Sequence, residues 1–156
     1  MEVDAFESIE AEFLERVREQ VWCAMTTVDR KGRPYSRIIH PFWESSTGWI
    51  LTHRRSHKAK HLSANPHVAL AYVRGNVQKP LYVSCSASWN DDLKQRRRVW
   101  NLVRNTPEPV GFDPANDFGT PENEEFGLLH LDPWRIVLVD FPAPSQDAGL
   151  RIWRCA

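Results

Sequence analysis

Arg37-Ile38-Ile39-His40-Pro41-Phe42, then Leu51-Thr52, then Arg54-Arg55-Ser56-His57-Lys58 and, after a short helical run, Asn65-Pro66: residues 37–66 decide how this chain folds. The first segment reads as a strand and the second closes another. The third stands at the head of a short helix that Ser56 can cap and Asn65-Pro66 stops. Cationic side chains, hydroxyls and free helix N–H groups thus meet at one end of a small sheet, which is the chemistry that holds a phosphate. A phosphorylated cofactor is the expected ligand.

Working outward, Val21 to Val28 is β-rich, Asp29-Arg30-Lys31-Gly32 supplies a turn, and Pro34 to Glu44 continues as the partner strand of a hairpin. A second turn at Ser45-Ser46-Thr47-Gly48 leads into Trp49-Ile50-Leu51-Thr52. Before the hairpin, Phe6, Ile9, Phe13 and Val17 recur at helical spacing among Glu and Arg, so residues 4–19 are expected as an amphipathic helix closing one barrel end. After it, His67 to Val73 and Leu81 to Trp89 are two more strands around a Gly75-Asn76 turn. Asp91-Asp92 then opens a helix through Val99, Trp100 and Val103. Residues 105–125 carry Pro107, Pro109, Pro114, Pro121, Gly111 and Gly119 and form an irregular excursion, a lid or a dimer-contact loop. Phe126 to Leu131 and Trp134 to Phe141 return as strands, and Leu150 to Arg154 ends the chain as a short strand or arm. Six or seven hairpin-connected strands with two or three helices predict one mainly-β domain over residues 1–156 with flanking helices, a closed or split antiparallel β-barrel. The chain has no Gly-x-Gly-x-x-Gly and no regular strand–helix alternation, which disfavours a doubly wound parallel sheet.

Composition narrows the function classes. With 156 residues the chain makes one ordinary domain, and 42% hydrophobic with 26% charged residues exclude disordered and collagen-like classes. Twenty basic residues balance twenty acidic ones, so clustered arginines argue for a local anion site and against wrapping a nucleic-acid backbone. Arg96-Arg97-Arg98 read as a solvated helix face. Cys23, Cys85 and Cys155 have neither metal-ligand nor disulfide-framework spacing, and no His pair has zinc-site spacing, so no metal site is expected and a reducing cytoplasm fits. The N-terminus is acidic where a signal peptide is basic, and no run reaches the ~18 apolar residues of a membrane span. The expected location is cytoplasmic, with no membrane partner.

Ser36-Arg37-Ile38-Ile39, Leu51-Thr52 and Ser56-x-Lys58-x-x-x-Leu62-x-x-Asn65-Pro66-x-Val68-x-Leu70, followed by Val83-Ser84-Cys85-Ser86-Ala87, resemble the pyridoxamine 5′-phosphate oxidase-like, FMN-binding split-barrel superfamily. Phe126-Gly127-Leu128-Leu129-His130-Leu131-x-Pro133-Trp134-Arg135-Ile136 looks like its general-stress-protein branch. The resemblance is specific over roughly residues 20–90 and looser beyond. It implies a homodimer with two FMN sites at the subunit interface and a small-molecule substrate. It also implies that Arg37, the strand Ile38-Ile39-His40-Pro41-Phe42, Leu51-Thr52 and the Ser56-His57-Lys58 turn hold the flavin's phosphate, ribityl chain and ring edge. Trp153 with Arg154 would reach the other subunit's flavin, as C-terminal residues do in that superfamily. The residue chemistry agrees, because Arg37 can fork onto two phosphate oxygens while Lys58 adds a point charge at a helix N-terminus.

The departures bear on function. His57 stands where the oxidases place Arg beside Lys, and Pro80 stands where they offer a Gln, so weaker FMN binding or a different flavin is expected. The oxidase's C-terminal substrate segment is missing, which argues against vitamin B6 oxidation. The expected function is a flavin-dependent oxidoreductase. The alternatives are an F420-dependent reductase, favoured by Arg54-Arg55 and Arg96 to Arg98, and a non-catalytic flavin-binding stress protein.

Overall fold

The computed structural model describes residues 1–73, 78–145 and 147–155; the expected Gly75-Asn76 turn lies outside them. Nine strands and four α-helices follow in chain order: β1 (Glu2–Val3), α1 (Glu10–Glu19), β2 (Cys23–Val28), β3 (Pro34–Ile39), β4 (Phe42–Glu44), β5 (Thr47–His53), α2 (His57–Ala64), β6 (His67–Tyr72), β7 (Leu81–Trp89), α3 (Leu93–Asn105), α4 (Ala115–Phe118), β8 (Phe126–Val139) and β9 (Leu150–Arg154). The sheet runs β1-β9-β8-β7-β6-β2-β3, and β5 with β4 joins the N-terminal half of β8. Among the described residues β3 and β4 share no ladder, so the curled sheet remains a split barrel. Among the described residues no helix is long and apolar enough to cross a membrane.

Three expectations change in detail. The strand expected over Pro34 to Glu44 is two: β3 ladders with β2, the chain turns at His40-Pro41, and β4 pairs with β5 instead. Pro41 has no N–H to donate to a continuing ladder, which accounts for the break. The two late strands are one, since β8 runs fourteen residues, with Pro133 taken up where β7's register shifts between Ser84 and Cys85. The N-terminal helix is shorter than expected, because Phe6–Ser8 is a 3-10 turn and α1 begins at Glu10.

Alternation along the strands builds the core. Cys23, Met25 and Thr27 of β2 point inward, the first two in a cluster with Leu70, Val83 and Ile136, and Phe13 of α1 closes this cluster with its ring 5.0 Å from that of Trp43. A second cluster gathers Trp49, Val99, Trp100, Val103, Phe118 and Phe126, and docks α3 and α4 on β5 and β8. The Asp92 carboxylate caps α3 by accepting from the Gln95 N–H at 3.0 Å.

Candidate functional site

The β2–β3 ladder places Arg37 opposite Met25 on the face that α2 covers. Its guanidinium donates to the Met25 carbonyl at 3.2 Å and the Thr27 hydroxyl at 2.7 Å. Among the described residues it has no carboxylate partner. Thr27 is fully buried; its hydroxyl accepts from Arg37 and shares a second hydrogen bond of 2.8 Å with Nδ1 of His61. Lys58, in the first turn of α2, is pushed down by burial and by the positive charge of Arg37, and makes no ion pair among the described residues. Burial likewise pushes Arg37 down. Ser56 precedes α2 with extended backbone; its hydroxyl makes no cap bond and is buried without a hydrogen-bond partner.

Each of these groups costs free energy as it stands: two half-buried cations that repel, and an orphaned hydroxyl. One multivalent anion at the α2 N-terminus satisfies all three and meets the helix's free N–H groups. The residues present therefore fit a phosphate. Thr52, the other expected hydroxyl, is buried on β5.

Beyond the end of β3 lies a cleft of about 360 Å³ walled by Ile38, Ile39, His40, Leu51, Trp22 and Phe112. The His40 ring sits 5.1 Å from Trp22 and 5.0 Å from Phe112. Its Nε2 donates to the Val110 carbonyl at 3.0 Å, leaving Nδ1 as an acceptor. Burial pushes His40 down, against the opposing pull of that carbonyl, so it is neutral at pH 7. The 105–125 segment thus forms a wall of this cleft, carrying Val110 and Phe112 to the His40 edge. Gly111 allows it, since a Cβ there would drive into the Thr106 carbonyl. Pro41 and Phe42, also expected at the site, are buried and face a different cleft of about 560 Å³ with Val17, Trp43 and Leu102.

Most of the remaining candidate residues have partners within the chain. The arginine pair before α2 is turned to other partners: Arg54 lies over the Trp89 ring at 4.5 Å and pairs with Asp91 at 3.5 Å, and Arg55 pairs with Glu125 at 3.2 Å. Arg96 donates to the Asn123 and Phe126 carbonyls, Arg97 to Glu122, and Arg98 makes a two-pronged bond to Glu44 at 2.8 and 2.9 Å. Each of the five is paired within the chain. Trp153 is 9% exposed and packs edge-on against Phe6 at 5.5 Å, while Arg154 pairs with Glu2. The arm is a strand of the sheet, with its aromatic anchor spent on its own core. His57 is exposed and lies apart from Arg37's bonds, along a cleft beside α2. Sequence reasoning missed Thr27 and Trp22; the alternation that buries Cys23 and Met25 was the available signal for Thr27.

The sequence model of the pyridoxamine 5′-phosphate oxidase family matches residues 9–108, close to two thirds of the chain and the whole Arg37–Lys58 site. No curated protein matches significantly. Among solved structures the fold is similar to general stress protein 26 of Bacillus anthracis, with a TM-score of 0.69 and 20% identity over 91% of this chain and 96% of that one. It is also similar to a pyridoxamine 5′-phosphate oxidase-related, FMN-binding protein of Nostoc punctiforme (TM-score 0.65, 16% identity, 99% and 98% covered). The heme storage protein HutZ of Vibrio cholerae shares the fold as well (TM-score 0.59, 20% identity, 80% and 89% covered). Joined by its sequence over that span and by a split barrel of the same architecture, the chain belongs to the pyridoxamine 5′-phosphate oxidase family.

Proposed function

We propose that this protein binds FMN and serves as a flavin-dependent oxidoreductase for a small substrate, working as a homodimer with the flavin at the subunit interface. The observation that carries the reading is the repelling pair Arg37 and Lys58, without a carboxylate partner among the described residues, beside the orphaned Ser56 hydroxyl at the α2 N-terminus. Arg37 and Lys58 would grip the phosphate, Ser56 would donate to it, and the backbone near Ile39 with the Leu51 side chain would hold the ring edge at the mouth of the adjoining cleft. Bound there, FMN supplies one- and two-electron transfer. Neutral His40 presents an acceptor, not a charge, to whatever enters beside the ring, and Phe112 and Trp22 keep that space apolar. The FMN-binding relative from Nostoc punctiforme is consistent with this choice of cofactor.

The dimer is supported by an apolar row on the outer sheet face. Ile38, Ala24, Ala71 and Tyr82 are consecutive partners across β3, β2, β6 and β7, with Ile38 65% and Tyr82 42% exposed. Exposed apolar side chains in register across four strands are what a second copy would cover.

The test is the visible spectrum of the protein as isolated, then titration of the flavin-free form with FMN. Arg37→Ala and Lys58→Ala should each weaken binding roughly ten- to hundredfold while the fold persists, the loss expected for one charge-assisted phosphate contact. Unchanged affinity in both variants would refute the site. A heme spectrum in place of a flavin spectrum would move the protein toward its heme-storing relative.

A further inference from the structure

The two sides of the 360 Å³ cleft beyond β3 differ in chemistry. The barrel side is apolar apart from His40, with Trp22, Ile38 and Leu51 on it; the segment after α3 faces them with Phe112, Asn116 and the carboxylates of Glu108, Asp113 and Asp117. No lysine or arginine stands among the described residues that line it. Asp113 is engaged, accepting from the Ala115 N–H at 3.0 Å and lying 3.6 Å from the Arg104 guanidinium. Glu108 and Asp117 have no ion-pair partner among the described residues. Further along the same segment Glu122 is met by Arg97, and Glu124 and Glu125 by Arg55. The carboxylates turned to other surfaces are thus neutralised, and two that border the cleft are not. His40 adds an acceptor, because its Nε2–H is committed to the Val110 carbonyl. Apart from the Asn116 amide and the Trp22 indole N–H, the polar side chains here only accept.

Such a cleft selects its occupant by charge. An anion would meet unpaired carboxylates and few donors, so a phosphate-bearing compound is repelled where a donor-rich cation is held. Arg37 and Lys58 offset these carboxylates while they stand alone; a phosphate dianion bound between them removes that offset and leaves the cleft more negative. A bare metal ion is not the cation in question, since among the described residues no three His, Cys, Asp or Glu side chains come together as ligands. The acidic groups instead border aromatic walls, and a ring fits between: a cavity of about 150 Å³ holds benzene, so this one has room for a body of one or two rings. We infer that the substrate received beside the flavin is a small organic cation without phosphate, an amine or amidine on an aromatic body. Glu108 and Asp117 would accept its N–H groups, and Trp22 and Phe112 would pack against its ring and its charge. The inference rests on the flavin reading above and names the substrate class of that site.

Calorimetric titration of benzamidine, benzyl alcohol and benzoate into the FMN-loaded protein separates charge from ring, because the three share a phenyl body. Benzamidine should bind about tenfold tighter than benzyl alcohol, an advantage of the size two exposed carboxylates can supply, and benzoate should bind more weakly than either. Benzamidine should also shift the visible absorption of the flavin, which places it beside the ring. In a Glu108→Gln/Asp117→Asn variant, whose changes fall on exposed side chains, the advantage of benzamidine should fall to about twofold or less while FMN affinity stays within about twofold. Equal or tighter binding of benzyl alcohol or benzoate in the wild type, or no binding of any of the three, overturns the inference and leaves the phosphate site standing. So does a benzamidine preference that survives in the variant, or benzamidine binding that leaves the flavin spectrum unchanged. Failure of FMN itself to bind overturns the flavin reading and this inference with it.

Discussion

Lys58 sits where its charge is unfavourable. Burial and the Arg37 guanidinium both act against its protonated form, and no carboxylate relieves it among the described residues. Groups placed for a ligand in this way commonly lower stability in its absence. Lys58→Met should therefore raise the stability of the flavin-free protein by about 0.5–1 kcal/mol while weakening FMN binding, read by urea denaturation beside flavin titration. A less stable Lys58→Met protein would mean the lysine has a structural partner and is not held for an anion. At two of the cysteines burial is the largest influence. Cys23 is pushed up to about 12 by desolvation, in spite of a lowering hydrogen bond with Tyr72; Cys85 is raised further by burial and by Asp132; Cys155 is exposed. At about pH 8 the folded protein should expose one thiol to a chromogenic disulfide reagent and the unfolded chain all three, because only a reachable thiolate attacks. Most of the candidate anion site was legible at this scale, since Arg37, Ser56 and Lys58 announce themselves by type and spacing. Thr27 and His61 were not, because the bond between them joins residues 34 positions apart.

The elements owe their placement to a few local breaks. Pro41 ends β3's path and hands the chain to β4, which puts His40 at the corner between two clefts. Asp92 starts α3, and the segment after α3 folds back so that the Gly111 N–H reaches the Pro107 carbonyl at 2.9 Å and Val110 reaches His40. A methyl group at Gly111 would collide with the Thr106 carbonyl and come 2.5 Å from that of Val103. Gly111→Ala should accordingly cost about 1–3 kcal/mol and release the His40 wall, seen as faster amide exchange across residues 107–118 and altered access to the cleft. Unchanged exchange there would show that the wall does not depend on this close approach. The strands and α3 could be read from alternation and capping signals, whereas the merging of two expected strands into β8 could not. Only the bulge opposite Pro133 lets one ladder continue through a residue that lacks an N–H.

For the molecule as a whole, one polar node ties the N-terminal helix to the C-terminal strand. Arg16, 2% exposed, donates to the Val139 carbonyl at 2.8 Å and the Pro80 carbonyl at 3.2 Å, and pairs with Glu12 and with Asp140 at 2.8 Å. Arg151 of β9 joins the same two carboxylates at 2.7 and 2.9 Å. Burial opposes ionisation of Glu12 and Asp140, yet the bonds and charges of Arg151 and Arg16 outweigh it and hold both below their ordinary values of 4.5 and 3.8. Because the folded values are the lower ones, the unfolded chain binds protons first as the medium turns acidic. The node's contribution is fully present at neutral pH, begins to fall below about pH 5 and is lost as pH drops through the folded values. Arg16→Ala should cost about 3–5 kcal/mol, the penalty for leaving buried ionic partners without their mate, and should flatten the loss of stability between neutral and acid pH. A mutant whose urea midpoint follows pH as steeply as the wild type would place the acid sensitivity elsewhere. By itself the sequence determined the strand alternation, the helix starts, the candidate grouping of Arg37, Ser56 and Lys58, and the family, because each is written in local spacing and residue type. Only the tertiary structure decided which arginines remain free for an anion, that Trp153 belongs to the core, and that the β2–β3 turn meets α2 in a basic cleft. Charge pairing and burial are set by residues far apart in the chain, and no local pattern encodes which of them will meet.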